Sequence, residues 1–134
     1  MKEKDLILQA KEAQKRAYVP YSGFPVGAAI LTEKGEVYTG CNIENAAYTP
    51  TVCAERVAIF KAVSQGDTRV KALAVVGGDK EKAFPCGVCR QVLSEFGDGA
   101  KIIVARDEED YEVYDFEDLL PHHFGPKDLG GQDV

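Results

Sequence analysis

Three cysteines constrain this chain more than any other feature: Cys53 in Cys53-Ala54-Glu55, and the pair in Pro85-Cys86-Gly87-Val88-Cys89. Three thiolates can hold one zinc ion and leave its fourth tetrahedral position open, the arrangement that activates water. A fold that satisfies this pattern must bring two segments far apart in the chain to one point. Glu55 stands two residues past the first cysteine, within reach of whatever takes the open position. A metal site with a proton carrier built in suggests chemistry rather than scaffolding.

The surrounding pattern supplies the elements. Leu6, Ala10, Ala13 and Ala17 recur at helical spacing, which predicts a helix over Lys4–Tyr18, ended by Pro20. Val26–Leu31 is a nearly continuous apolar run, a buried strand, followed by a turn at Glu33–Glu36 and a second strand over Val37–Ile43. Val52–Val63 is helical and apolar over most of its circumference, so it belongs in the middle of the fold. Leu73–Val76 suits a strand covered on both faces. Pro85 opens a helix over Cys86–Phe96, and Gly97 stops it. Ile102–Ala105 makes a fourth strand, Tyr111–Tyr114 a short fifth, and Asp115–Leu120 a short helix. This order implies an α/β fold, three layers α/β/α with a mixed central sheet. The 134 residues read as one domain, with the polar, Gly-rich stretch from about 125 onward a mobile tail.

Both metal-binding segments fall at predicted helix starts, where free N–H groups and the positive dipole end stabilise thiolates. Cys86 and Cys89 are three apart and share one helix face. Zinc would then tie two helix N-termini together. Three thiolates on Zn²⁺ leave a net negative site, which weakens the metal as a Lewis acid. Arg56 offers an answer, a guanidinium hydrogen-bonded to the sulfurs, against the plainer reading of a surface arginine. Glutamate in a first helical turn is favoured by the dipole alone, so the position of Glu55 alone does not decide its role. Cys41 reads as a small buried residue near a strand end rather than a fourth ligand. Iron is the lesser alternative to zinc at such a thiolate site.

The chain resembles the small, homotetrameric cytidine deaminases of nucleoside salvage. The likeness runs from Tyr18 to Phe124 and is carried by Pro20-Tyr21-Ser22-Gly23-Phe24-Pro25-Val26-Gly27-Ala28-Ala29, Asn42-Ile43-Glu44-Asn45, Cys53-Ala54-Glu55-Arg56, Pro85-Cys86-Gly87-Val88-Cys89-Arg90-Gln91-Val92-Leu93, and Leu119-Leu120-Pro121 with Phe124. The resemblance implies a cytidine-deaminase-like fold and one zinc per subunit on Cys53, Cys86 and Cys89. It makes Glu55 the group that takes a proton from the attacking water, passes it to N3 of the pyrimidine and later protonates the departing amine. It sets Asn42 and Glu44 on the ribose 3′-hydroxyl, Phe24 on the pyrimidine ring and the Ala54 N–H near the pyrimidine carbonyl. It also implies that Tyr48 and Phe124 complete the site of a neighbouring subunit, and that Gln91, like Arg56, supports the metal site from behind. His122 and His123 read as spacers, and Asp107–Asp110 as a solvated loop.

The net charge is −6 and no Lys/Arg cluster marks a phosphate track, so nucleic acid is not an expected partner. A small neutral nucleoside fits better. No apolar run approaches the roughly 20 residues that span a bilayer, and the start of the chain is no signal-peptide core, so the expected compartment is the cytoplasm. Two rivals remain: a deaminase of another aminopyrimidine nucleoside such as blasticidin S, and a structural-zinc interaction module. The second leaves Glu55, Asn42 and Glu44 without a reason.

Overall fold

The computed structural model describes residues 1–78 and 81–130 of the chain. The elements are α1 (Glu3–Gln14), β1 (Val26–Thr32), β2 (Val37–Cys41), α2 (Ala54–Ser64), β3 (Val70–Gly77), α3 (Gly87–Phe96), β4 (Lys101–Asp107), β5 (Asp110–Asp115), α4 (Phe116–Leu119) and a 3-10 helix over Pro126–Leu129. The strands form one mixed sheet in the order β2-β1-β3-β4-β5. β3 and β4 are parallel, and every other pairing is antiparallel.

Side chains alternate across the sheet and sort the core into two layers. Ala28, Ile30, Leu73, Val75, Ile102 and Val104 meet Ala54, Ala58, Ile59 and Ala62 of α2 and Leu93 of α3 on one face. Ala29, Ala74, Val76, Ile103 and Ala105 meet Leu6, Ile7 and Ala10 of α1 on the other. The central strands are covered on both sides, which is why their sequence is apolar without a polar alternation. The result is the α/β/α layering that the order of elements implies.

One glycine sets how low α2 lies. A side-chain carbon on Gly40 of β2 would collide with the Ala54 carbonyl oxygen and sit 2.7 Å from the Ala58 nitrogen. Only glycine admits this approach. Val26 pairs with Gly77, so the start of β1 lies beside the end of β3. There, at the carboxyl end of a parallel strand, a crevice is expected in open α/β sheets. The first turn of α2 stands over that end of β2.

Most elements run within a few residues of the bounds the periodicity gives, and three of the boundary differences share a long-range cause. The first helix stops at Gln14 rather than Tyr18, because the Tyr18 backbone is taken up elsewhere. Its N–H donates to the Asn42 carbonyl, and its own carbonyl accepts from the Glu44 N–H. The second strand stops at Cys41 rather than Ile43. Ile43 instead bridges Tyr18 on one side and Val52 on the other, which also delays α2 to Ala54. These pairings join residues distant in sequence, so helical and strand periods carry no sign of them. Of the expected tail, Pro126–Leu129 forms a single 3-10 turn, and residues 131–134 lie outside the described residues.

Candidate active site

Cys53 is the N-cap of α2 and Cys86 the N-cap of α3, so both thiol-bearing segments begin helices. Cys89, fully buried, follows one turn into α3. The three Sγ atoms lie within 4.8 Å of one another. Cys86 Sγ is 3.6 Å from both Cys53 Sγ and Cys89 Sγ. Tetrahedral zinc with Zn–S bonds of about 2.3 Å needs ligand sulfurs roughly 3.8 Å apart. The donor set fits the ion. Cys41 stands apart from this cluster, half-buried at the end of β2.

The electrostatics agree. A hydrogen bond from Cys89, with further help from Arg56 and Cys86, outweighs burial and lowers the Cys53 thiol to about 5. Cys89 moves the other way, its proton held against the Cys53 sulfur and its thiol buried. Crowded sulfurs of this kind favour a shared dication over shared protons. Arg56 Nη2 donates to Cys53 Sγ at 3.4 Å. Its Nε is buried without a hydrogen-bond partner among the described residues. A guanidinium accepts such burial only where negative charge holds it, and here the sulfurs supply that charge.

Glu55 occupies the second position of α2 and is 4 % exposed. Burial raises its carboxyl to about 7; the charge on Cys53 adds to the rise, while its own backbone N–H and Arg56 oppose it. A carboxyl so placed can both hold and release a proton near neutral pH. It lines a cavity of about 130 Å³ together with Phe24, Val26, Asn42, Cys53, Ala54 and Cys86, among others. Three larger hollows, of about 820 Å³ beside Lys15 and Lys82, about 520 Å³ beside His122 and His123 and about 420 Å³ beside Met1 and Lys101, include neither Glu55 nor any cysteine. Chemistry, not size, marks the site.

These features are those of a known family. The model of the cytidine and deoxycytidylate deaminase zinc-binding region matches residues 1–105. The chain belongs to this deaminase family. Its cofactor is accordingly zinc, and the three-cysteine cluster could hold one ion. The cytidine deaminase of Sporosarcina psychrophila is 51% identical over 125 residues, covering 92% of each chain. That of Halalkalibacterium halodurans is 46% identical over 125 residues, 92% of this chain and 95% of the relative. The crystal structure of cytidine deaminase from Burkholderia pseudomallei superposes with a TM-score of 0.87 at 43% identity, over 92% of this chain and all (100%) of that one.

Within this deaminase-family chain the other expected site residues are not all together. Phe24 lies against the end of β3, where a side-chain carbon on Gly78 would come within 2.9 Å of its ring. Asn42 accepts from the Val26 N–H and donates through Nδ2 to the Phe24 carbonyl, both at 2.9 Å. Glu44 is one loop away from the cavity, its carboxylate turned to Tyr21 and Ser22. Tyr48, with a positive φ of 62°, and Phe124 are 74% and 58% exposed, outside the cavity. Gln91 Nε2 donates to Ser94 Oγ of its own helix and to the Phe124 carbonyl of the C-terminal segment, both at 3.0 Å, and not to the sulfurs. His123 bonds the Leu120 carbonyl and packs its ring edge-on against Phe116. Ala83 and Phe84 line the cavity although sequence reasoning did not single them out. Their place just before Pro85-Cys86 was the available signal.

Proposed function

We propose that this chain hydrolytically deaminates cytidine and deoxycytidine to uridine and deoxyuridine, releasing ammonia, in pyrimidine salvage. The observation that carries the reading is Glu55, a buried carboxyl in the same small cavity as Cys53, Cys86, Asn42 and Phe24. A structural zinc module has no use for it. The names of the relatives support the substrate class. The net charge of −6 favours a neutral nucleoside over nucleic acid.

Cys53, Cys86 and Cys89 would hold the zinc ion, which would supply the Lewis acidity that makes water a nucleophile at neutral pH. Glu55 takes the proton of the attacking water and delivers it to N3 of the ring as C4 is attacked, then takes the proton of the new C4 hydroxyl and passes it to the departing amine as the carbonyl forms. Ala54, first residue of α2, has an N–H that the helix leaves free for the pyrimidine carbonyl. Phe24 packs on the ring, and Asn42 and Glu44 bind the 3′-hydroxyl. Arg56 draws charge off the sulfurs, offsetting the weakened Lewis acidity of a three-thiolate site. Gln91 acts at one remove, by anchoring the segment that carries Phe124.

A cavity of about 130 Å³ is smaller than ordinary small-molecule pockets, which begin near about 300 Å³. That shortfall, with Tyr48 and Phe124 exposed, supports a homotetramer in which neighbours close each other's sites. The reading places the enzyme in the cytoplasm; no helix among the described residues is long and apolar enough to cross a membrane. Ultraviolet detection of uridine formed from cytidine by the zinc-loaded protein tests the proposal. Turnover of blasticidin S with none of cytidine or deoxycytidine would replace the substrate, and no turnover of any would sink the enzyme reading.

A further inference from the structure

Glu44 sits on an exposed loop segment, yet its carboxylate already accepts three hydrogen bonds. The Tyr21 and Ser22 N–H groups donate to Oε1 at 3.0 and 3.1 Å. The Ser22 hydroxyl donates to Oε2. A carboxylate offers about four acceptor sites, so one remains, and it is on Oε2. The Ser22 oxygen also accepts the Phe24 N–H at 3.0 Å. That turn is possible because Gly23 takes a left-handed φ of 65°. Phe24 is thus held at its N–H by Ser22 and at its carbonyl by Asn42.

We propose that Ser22 is a positioning residue for the sugar: its hydroxyl fixes the Glu44 carboxylate so that Oε2 presents a single open acceptor to a ribose hydroxyl. The proposal rests on the assignment of Glu44 to the sugar made above. Without the hydroxyl, Oε1 keeps its two backbone donors, but Oε2 is free to turn toward solvent. Phe24 keeps its Asn42 bond, so packing on the base is disturbed far less than contact with the sugar. The cysteine cluster shares none of these bonds. Recognition of the sugar should therefore weaken while the chemical step survives.

The test compares cytidine with 2′,3′-dideoxycytidine, which lacks both ring hydroxyls, in Ser22→Ala, Ser22→Thr and Glu44→Gln. Zinc content and melting curves are followed in every variant. Ser22→Ala should raise KM for cytidine about tenfold, with kcat changed less than about twofold, and should raise KM for the dideoxy substrate less than about threefold. Ser22→Thr, which keeps the hydroxyl, should behave like the parent. Equal effects on both substrates, or none on either, would overturn the role of Ser22. If Glu44→Gln discriminates between the substrates and Ser22→Ala does not, only the Ser22 proposal fails. If Glu44→Gln leaves cytidine KM unchanged, the sugar assignment fails and the Ser22 proposal with it.

Discussion

Cys53 and Cys86 begin helices whose bodies lie in the core, whereas Asn42 and Glu44 lie around an isolated bridge between β2 and α2. The first pair is placed by helix packing: Ala54, Ala58 and Ile59 below Cys53, and Leu93 beyond Cys86, are buried. The second pair is placed by side-chain bonds to backbone, from Val26, Tyr21 and Ser22 and to Phe24. Burial is cooperative and hard to perturb in part, while each exposed hydrogen bond contributes only about 0.5–1.5 kcal/mol. The metal half should therefore fail completely or not at all, and the sugar half by degrees.

The largest contrast follows from removing one group on each side. Cys89→Ser should abolish zinc binding and turnover together and lower the unfolding midpoint, because an ion on this cluster would tie α2 to α3. Asn42→Ala should keep its zinc and raise KM for cytidine about ten- to a hundredfold. A graded loss of metal in Cys89→Ser, or loss of zinc in Asn42→Ala, would erase the distinction. Next in size is Gly40→Ala. The added carbon meets the first turn of α2 and should cost about 1–3 kcal/mol of stability in a denaturant titration. Normal stability would show that α2 is free to shift.

The smallest effect concerns Glu44. The Ser22 hydroxyl and the Ser22 and Tyr21 N–H groups outweigh partial desolvation and hold its carboxyl below the usual carboxylate range. For a lowered carboxyl, the stabilisation is complete at neutral pH and is lost only as pH falls through the folded-state value. A carbon-13 titration of the Glu44 carboxyl should show a midpoint below that of an unstructured glutamate, moving upward in Ser22→Ala. An unmoved midpoint would detach Ser22 from the carboxylate.

The same contrast governs what the sequence disclosed. The Cys86–Cys89 pair and the places of Cys53 and Cys86 at helix starts were legible because spacing and helix signals are local, whereas the meeting of Cys53 with that pair, 33 residues on, was legible through the motif alone. The two-sided burial of Leu73–Val76 was legible from its lack of alternation. Tyr18, Ile43 and Val52 were assigned to regular elements because nothing local shows that their backbones pair with one another. The need for Gly40 depends on a helix that arrives later in the chain. The bond from Gln91 to the Phe124 carbonyl likewise spans a separation that no period encodes. Asn42 and Glu44 stood out through family resemblance, while Ser22, their structural partner, looked like an ordinary turn residue.

The central claim is that the buried carboxyl beside the three cysteines moves the protons of deamination. Zinc content and cytidine turnover measured on the same preparation of Glu55→Gln test it most directly. One zinc per chain with turnover reduced by about a thousandfold is the predicted result. A zinc-loaded variant with near-parental turnover would contradict the account, because the cavity would then perform its chemistry without the group around which it is built.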